Sequence, residues 1–105
     1  MRIVIVYPQA GRIIRKDTDG TLYNLQGYVD GYIEPCAPAE LRERGIEMLA
    51  NEEGLLQGLP YNENLYPFFF VGTLVILGVD GEEFAGLTED QETFVLEWLD
   101  KLKTL

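Results

Sequence analysis

The segment Phe69-Phe70-Val71-Gly72-Thr73-Leu74-Val75-Ile76-Leu77-Gly78-Val79 decides the fold class. Its aromatic and β-branched residues suit a pleated, packed surface, and the Asp80-Gly81 pair that follows suits a tight turn, so a strand is predicted over 69–79. Glu82 to Leu87 then reads as a loop or short edge strand. Immediately afterwards the apolar period changes. Thr88-x-x-Gln91 is a capping box, and Phe94, Val95, Trp98, Leu99 and Leu102 recur at helical spacing along one wide apolar face. Glu89, Asp90 and Glu92 suit the helix start, Lys101 and Lys103 its end, and Glu97 with Lys101 forms an i,i+4 pair. Strand, turn and terminal helix together predict a sheet with a helix laid across it.

Working back from this unit, Arg2 to Tyr7 is a nearly continuous β-branched run ending at Pro8, as expected of a strand buried on both faces near the middle of a sheet. Gly11 to Lys16 is a weaker strand or extended arm. Asp17-Thr18-Asp19-Gly20 is a turn, after which Thr21 caps a short helix with Leu22, Leu25 and Val29 on its apolar face. After Pro38 the pattern predicts a loop or one helical turn, then a strand over Ile46 to Ala50. Asn51 reads as an N-cap with Glu52 and Glu53 in the first turn, Leu55 and Leu56 facing inward, and Gly58 ending the turn. Leu59 to Pro67 is a loop. The expectation is a single α+β domain over residues 1–105, with a mixed or antiparallel sheet of about four to five strands and the C-terminal helix packed on one face.

Composition narrows the function classes. The chain has 105 residues, 47% of them hydrophobic but in short blocks, so no stretch approaches the roughly 20 apolar residues of a membrane span. The N-terminal run lacks a secretory h-region and cleavage site, which predicts a cytoplasmic protein. Cys36 is the only cysteine and there is no histidine, which removes an internal disulfide, a Cys/His zinc site and an activated cysteine nucleophile. The net charge of −10 is uneven: residues 1–50 carry six basic and seven acidic side chains, whereas residues 51–105 carry two and eleven. Such a surface repels phosphate, so a nucleic-acid partner is not expected. Arg12, Arg15 and Lys16 form a patch suited to a small anion, or are simply exposed charges on a hairpin.

Read as a string, Gly31-Tyr32-Ile33-Glu34, then Asn51-Glu52-Glu53-Gly54, Gly58-Leu59-Pro60-x-Asn62, and Val71-Gly72-Thr73 before Asp80-Gly81 and Leu87-Thr88, resembles domain-of-unknown-function family 3846. The resemblance runs from about Leu22 to Gln91, and its most specific part is the Asn-Glu-Glu-Gly to Leu-Pro-x-Asn block. It implies a setting on bacterial, phage or plasmid genomes and no particular reaction. One position departs: Asp30 precedes Gly31 where the family usually has two adjacent glycines.

Chemistry then weighs against catalysis. Adjacent Glu52 and Glu53 on a helix would point about 100° apart and would not face one bond, so Glu34 would have to serve as partner. A cation site from Asp30, Glu34 and Glu52 lacks regularly spaced oxygen ligands. No cofactor or metal is expected, and neither a Walker motif nor a G-x-G-x-x-G is present. What remains is recognition. Asn51, Asn62 and Asn64 can read donor and acceptor edges, and Tyr61, Tyr66, Tyr28, Tyr32 and Phe68 offer flat faces. The expected ligand site is Asn51, Glu52, Tyr61, Asn62, Tyr32, Glu34, Arg12 and Arg15, holding a small host ligand of nucleotide type in a counter-defence role. In the competing assignment, Asn51 caps, Asn62 closes a loop, and the aromatics fill the core or a homodimer contact. A further alternative makes Glu89, Asp90, Glu92 and Glu97 a DNA-mimicking surface for a host protein.

Overall fold

The computed structural model describes residues 1–105. Its elements, in chain order, are β1 (Arg2–Val6), β2 (Ile13–Asp17), α1 (Leu22–Val29), β3 (Ile33–Pro35), α2 (Ala39–Arg42), β4 (Ile46–Asn51), a 3-10 turn (Glu63–Leu65), β5 (Leu74–Asp80), β6 (Glu83–Ala85) and α3 (Glu89–Leu102). The protein is α+β, with a six-stranded sheet that is antiparallel throughout, in the order β2-β1-β5-β4-β3, and β6 paired to the far end of β5.

Strand β5 holds the sheet together, pairing Val4↔Ile76 with β1 and Met48↔Ile76 with β4. Five consecutive residues from Leu74 are buried because both faces of the sheet are covered. Successive side chains on a strand point to opposite faces, and the two cores follow that alternation. Ile3, Ile5, Val75, Leu77 and Leu49 pack with Leu25 and Val29 of α1, whereas Val4, Val6, Leu74, Ile76, Ile46 and Met48 pack with Val95, Trp98, Leu99 and Leu102 of α3. Helix α3 therefore lies on one face as its apolar stripe requires. The capping box is formed in full: Gln91 N–H donates to Thr88 Oγ1 at 3.1 Å, and the Gln91 side chain accepts from Thr88 N–H at 2.9 Å. Trp98 Nε1 donates to Glu40 at 2.7 Å, which ties α3 to α2. No helix is long and apolar enough to cross a membrane.

Leu22, predicted on the apolar face of α1, is exposed and only Leu25 and Val29 are buried there, and two longer segments also need correction. The strand predicted over 69–79 starts only at Leu74, because Gly72 takes φ +75° and donates its N–H to Pro60 O at 2.7 Å, breaking the extended run. Residues 66–73 instead form an irregular segment that sends Phe68 and Phe70 beneath α3, with Phe68 at 5.9 Å from Trp98, and leaves Phe69 outside. The second correction concerns Asn51 to Gly58. Asn51 is the last residue of β4, and a chain of turns rather than a helix follows it, closed by Gly54 N–H to Asn51 O and Leu59 N–H to Gly54 O. Leu55 and Leu56 consequently do not face inward; they are 69% and 87% exposed. Gly54 and Gly58 lower the helix propensity of this stretch, and the side-chain oxygen of Asn51 accepts from Glu53 N–H to hold a turn instead.

The odd position before Gly31 has a backbone cause. Asp30 ends α1 at φ 61°, ψ 41°, in the left-handed region where glycine is the least strained occupant, and its N–H closes on Gln26 O. An acidic side chain there also sits at the unfavourable end of the helix dipole. Replacing Asp30→Gly is expected to raise stability by about 0.5–1 kcal/mol, since relief of the left-handed strain and of the dipole outweighs glycine's extra unfolded-chain entropy. Urea unfolding of the two proteins checks this; a lower midpoint for Asp30→Gly would refute it.

Candidate functional site

At the β3 edge of the sheet lies an open groove of about 430 Å³, bounded by Glu34 and Cys36 of β3 and its continuation, by Ala50 and Asn51 at the end of β4, by the loop 52–56, and by Phe69–Val71. Its walls are mainly apolar. Its acids are Glu34, Glu52 and Glu53, and none of the three forms an ion pair within the chain. The loop lies close against its neighbours. A Cβ on Gly54 would come within 2.9 Å of Val71 Cγ2, and one on Gly31 within 2.5 Å of the Asn51 amide nitrogen, so both segments approach as closely as backbone allows.

The amides expected to read a ligand are occupied elsewhere. Asn51 Nδ2 donates to Val29 O, Asp30 O and Gln57 Oε1 at 3.0–3.2 Å, and its Oδ1 accepts from Glu53 N–H at 2.8 Å. Asn62 is wholly buried, donating to Val6 O and Gly72 O and accepting from Asn64 N–H. Asn64 donates to Tyr7 O and Gln9 O and accepts from Gly11 N–H at 2.8 Å, which holds the β1–β2 connection. Each is a bracket between backbone segments: Asn62 closes a loop as the structural assignment has it, whereas Asn51 caps no helix and instead ties the end of β4 to the end of α1. No buried side-chain polar atom is left without a partner.

The remaining expected residues do not share one opening. Glu34, Asn51 and Glu52 border the groove. Tyr61 stands behind it, half-buried, donating to Phe68 O at 3.2 Å and lying 5.5 Å from the Phe69 ring. Tyr32 is exposed, and its carbonyl accepts Glu52 N–H at 2.8 Å, so it adjoins the groove without lining it. Arg12 lies over the Tyr7 ring at 4.1 Å, beside a separate, smaller hollow of about 240 Å³ with Tyr28 and Asp30. Arg15 is on β2, bonded to Glu92 of α3 at 3.3 Å. Arg2 also reaches Glu92, at 3.5 Å, so the acidic face made by Glu89, Asp90, Glu92 and Glu97 is interrupted by two cations. No three His, Cys, Asp or Glu side chains gather as a cluster that could hold a metal ion.

Sequence reasoning missed Leu55, Leu56 and Cys36 as groove residues, and it offers the aromatic segment around Phe69 only as a homodimer contact. A signal existed for the leucines: two adjacent ones between Glu-Glu-Gly and Gln-Gly have no helix long enough to bury both. Cys36 is half-buried against the groove, and its thiol is pushed from its ordinary 9.0 to about 12, first by burial and then by the negative charges of Glu47 and Glu34, with Arg42 opposing.

Two outcomes follow from this geometry. Asn62→Ala strips partners from two buried carbonyls and one N–H and should cost at least about 1–3 kcal/mol, read as a lowered unfolding midpoint. A value within experimental error of zero would remove the bracketing role. Because the raised Cys36 pKa keeps the thiol protonated, iodoacetamide at pH 8 should modify the native protein at least about 30-fold more slowly than a thiol of ordinary pKa, the loss of thiolate being partly offset by its higher nucleophilicity. The rate should still climb about tenfold per pH unit between pH 9 and 10.5, where an ordinary thiol levels off.

A search of curated proteins finds no match to this chain, and no solved structure matches it. One family model does match, over residues 1–102, and so covers the whole sheet and all three helices rather than only the central block. The chain therefore belongs to the family described as Domain of unknown function (DUF3846).

Proposed function

We propose that this chain is a non-catalytic binding protein and that the groove at the β3 edge is its binding surface. The observation that carries this reading is an apolar-walled concavity bordered by Leu55 and Leu56, both more than two-thirds exposed, together with carboxylates that no internal cation neutralises. Exposed large apolar side chains with a polar rim mark interaction sites, because the chain gains nothing internally from placing them in water. Catalysis has little support: the groove offers Glu34, Glu52 and Glu53 with no nucleophile beside them except a Cys36 thiol held protonated.

A nucleotide-type ligand fits this surface poorly. Its phosphates would meet carboxylates in the groove, the amides suited to its base are bonded to backbone, and Arg12 and Arg15 lie at two other places. A counter-defence role in a mobile-element setting is retained in a different form, as occupation of a host component through the groove.

The test uses the tagged full-length protein recovered from expressing cells and analysed by native mass spectrometry. Associated species should be retained by the parent protein and by Glu89→Lys/Asp90→Lys, and lost from Leu56→Ser/Phe69→Ser. The substituted side chains are exposed, so the latter variant should keep its unfolding free energy within about 0.5 kcal/mol of the parent. Undiminished association by the groove variant would overturn the proposal.

A further inference from the structure

Resting on that reading of the groove, we infer that its occupant is a segment of a different protein. That segment sets an aliphatic or aromatic side chain against Leu55, Leu56 and Phe69 and carries Arg or Lys alongside to meet Glu34, Glu52 and Glu53. The groove is open rather than enclosed, and exposed apolar surface continues past it at Tyr32, beside Glu52. Small-molecule sites cover most of their ligand's surface. An apolar floor with charged residues at its margin is instead the arrangement of a protein interface, with anchors at the centre and charge at the rim.

Charge selects the partner. Every ionisable side chain of the groove other than Cys36 is acidic, so a nucleic acid is repelled and a basic segment is attracted. A second copy of this chain is a poor source of those cations. Arg2, Arg15 and Arg42 are already ion-paired, Arg12 and Arg44 lie over the rings of Tyr7 and Phe94, Lys103 is paired with Asp100, and only Lys16 and Lys101 are left against a net charge of −10 per copy. Recognition is by side chains rather than by strand addition: β3 is only three residues long and ends in Pro35, which has no N–H to offer a new neighbour, while Cys36 N–H and Tyr32 O are already bonded to β4 and the residue after it.

The experiment selects a displayed library of random 12-residue peptides on the intact protein and measures the affinities of the enriched peptides. Enrichment of sequences with Arg or Lys within a few positions of an aromatic or aliphatic residue is expected. Their affinity should fall at least about tenfold between 50 and 500 mM NaCl, and at least about tenfold again for Glu52→Lys/Glu53→Lys, with circular dichroism confirming that the variant is folded. Enriched peptides without basic residues that lose binding on Leu56→Asp would overturn the charge assignment while leaving the groove in place. Binding unaffected by Leu56→Asp would overturn both the partner class and the groove. No enrichment over the blank surface, or equal affinity for a small aryl amine such as tryptamine, would refute a peptide occupant. A dimer in sedimentation that Leu56→Asp dissociates would assign the groove to a second copy.

Discussion

Buried backbone carbonyls at the loop junctions must find donors, and three asparagine amides supply them. Asn51 reaches the last carbonyls of α1, Asn62 bridges Val6 and Gly72, and Asn64 gathers Tyr7 and Gln9. Each net hydrogen bond contributes only about 0.5–1.5 kcal/mol, but an unmet carbonyl in these places would cost more than that. Their larger effect is geometric. One side chain fixes two strands or a strand and a helix end at once, so the irregular segments between them have few arrangements left. Asn51 also accepts from Glu53 N–H, which sets the direction in which the chain leaves β4.

That direction determines the groove. With Asn51 bonded back to α1 and Gly54 against Val71, the following residues are carried away from the core, and Leu55 and Leu56 end outside it. Phe69 is exposed for a related reason. Its neighbours Phe68 and Phe70 pack toward the core under α3, and the ring between them is left outside, 5.5 Å from Tyr61. The apolar walls are thus a by-product of how the brackets route the chain, and they are held open by the same hydrogen bonds that stabilise it.

Much of the fold was legible because its signals are local. The Thr88 capping box with the Phe94–Leu102 stripe, the β-branched run of β1, Thr21 at the start of α1, and a turn followed by a strand after Pro38 all appear where their residues predict. The failures lie where a distant partner decides the outcome. Nothing in Phe69–Val79 announces that Gly72 will turn left-handed to meet Pro60, twelve residues earlier, and nothing near Asn51 shows that its amide will cross to α1. Asparagine chemistry was read correctly as paired donor and acceptor capacity, yet the sequence cannot say whether backbone or ligand uses it. The candidate groove was half legible for this reason: Glu34, Asn51 and Glu52, named from the sequence, border it, while Leu55 and Leu56 were assigned to the interior.

The distribution of charge makes the same distinction between internal and outward use. Most of the arginines are engaged inside the chain, by Asp17, Glu47 and Glu92 or by the rings of Tyr7 and Phe94. The acids of α3 are partly explained by the same pairing and by their place in the first turn of a helix, where the dipole favours them. Glu34, Glu52 and Glu53 have neither explanation: they lie on β3 and a loop, without a cation or a helix end. Carboxylates at the margin of an apolar surface give it a negative potential, which salt screens. The fold thus commits all five of its arginines to other places and leaves the groove carboxylates without one.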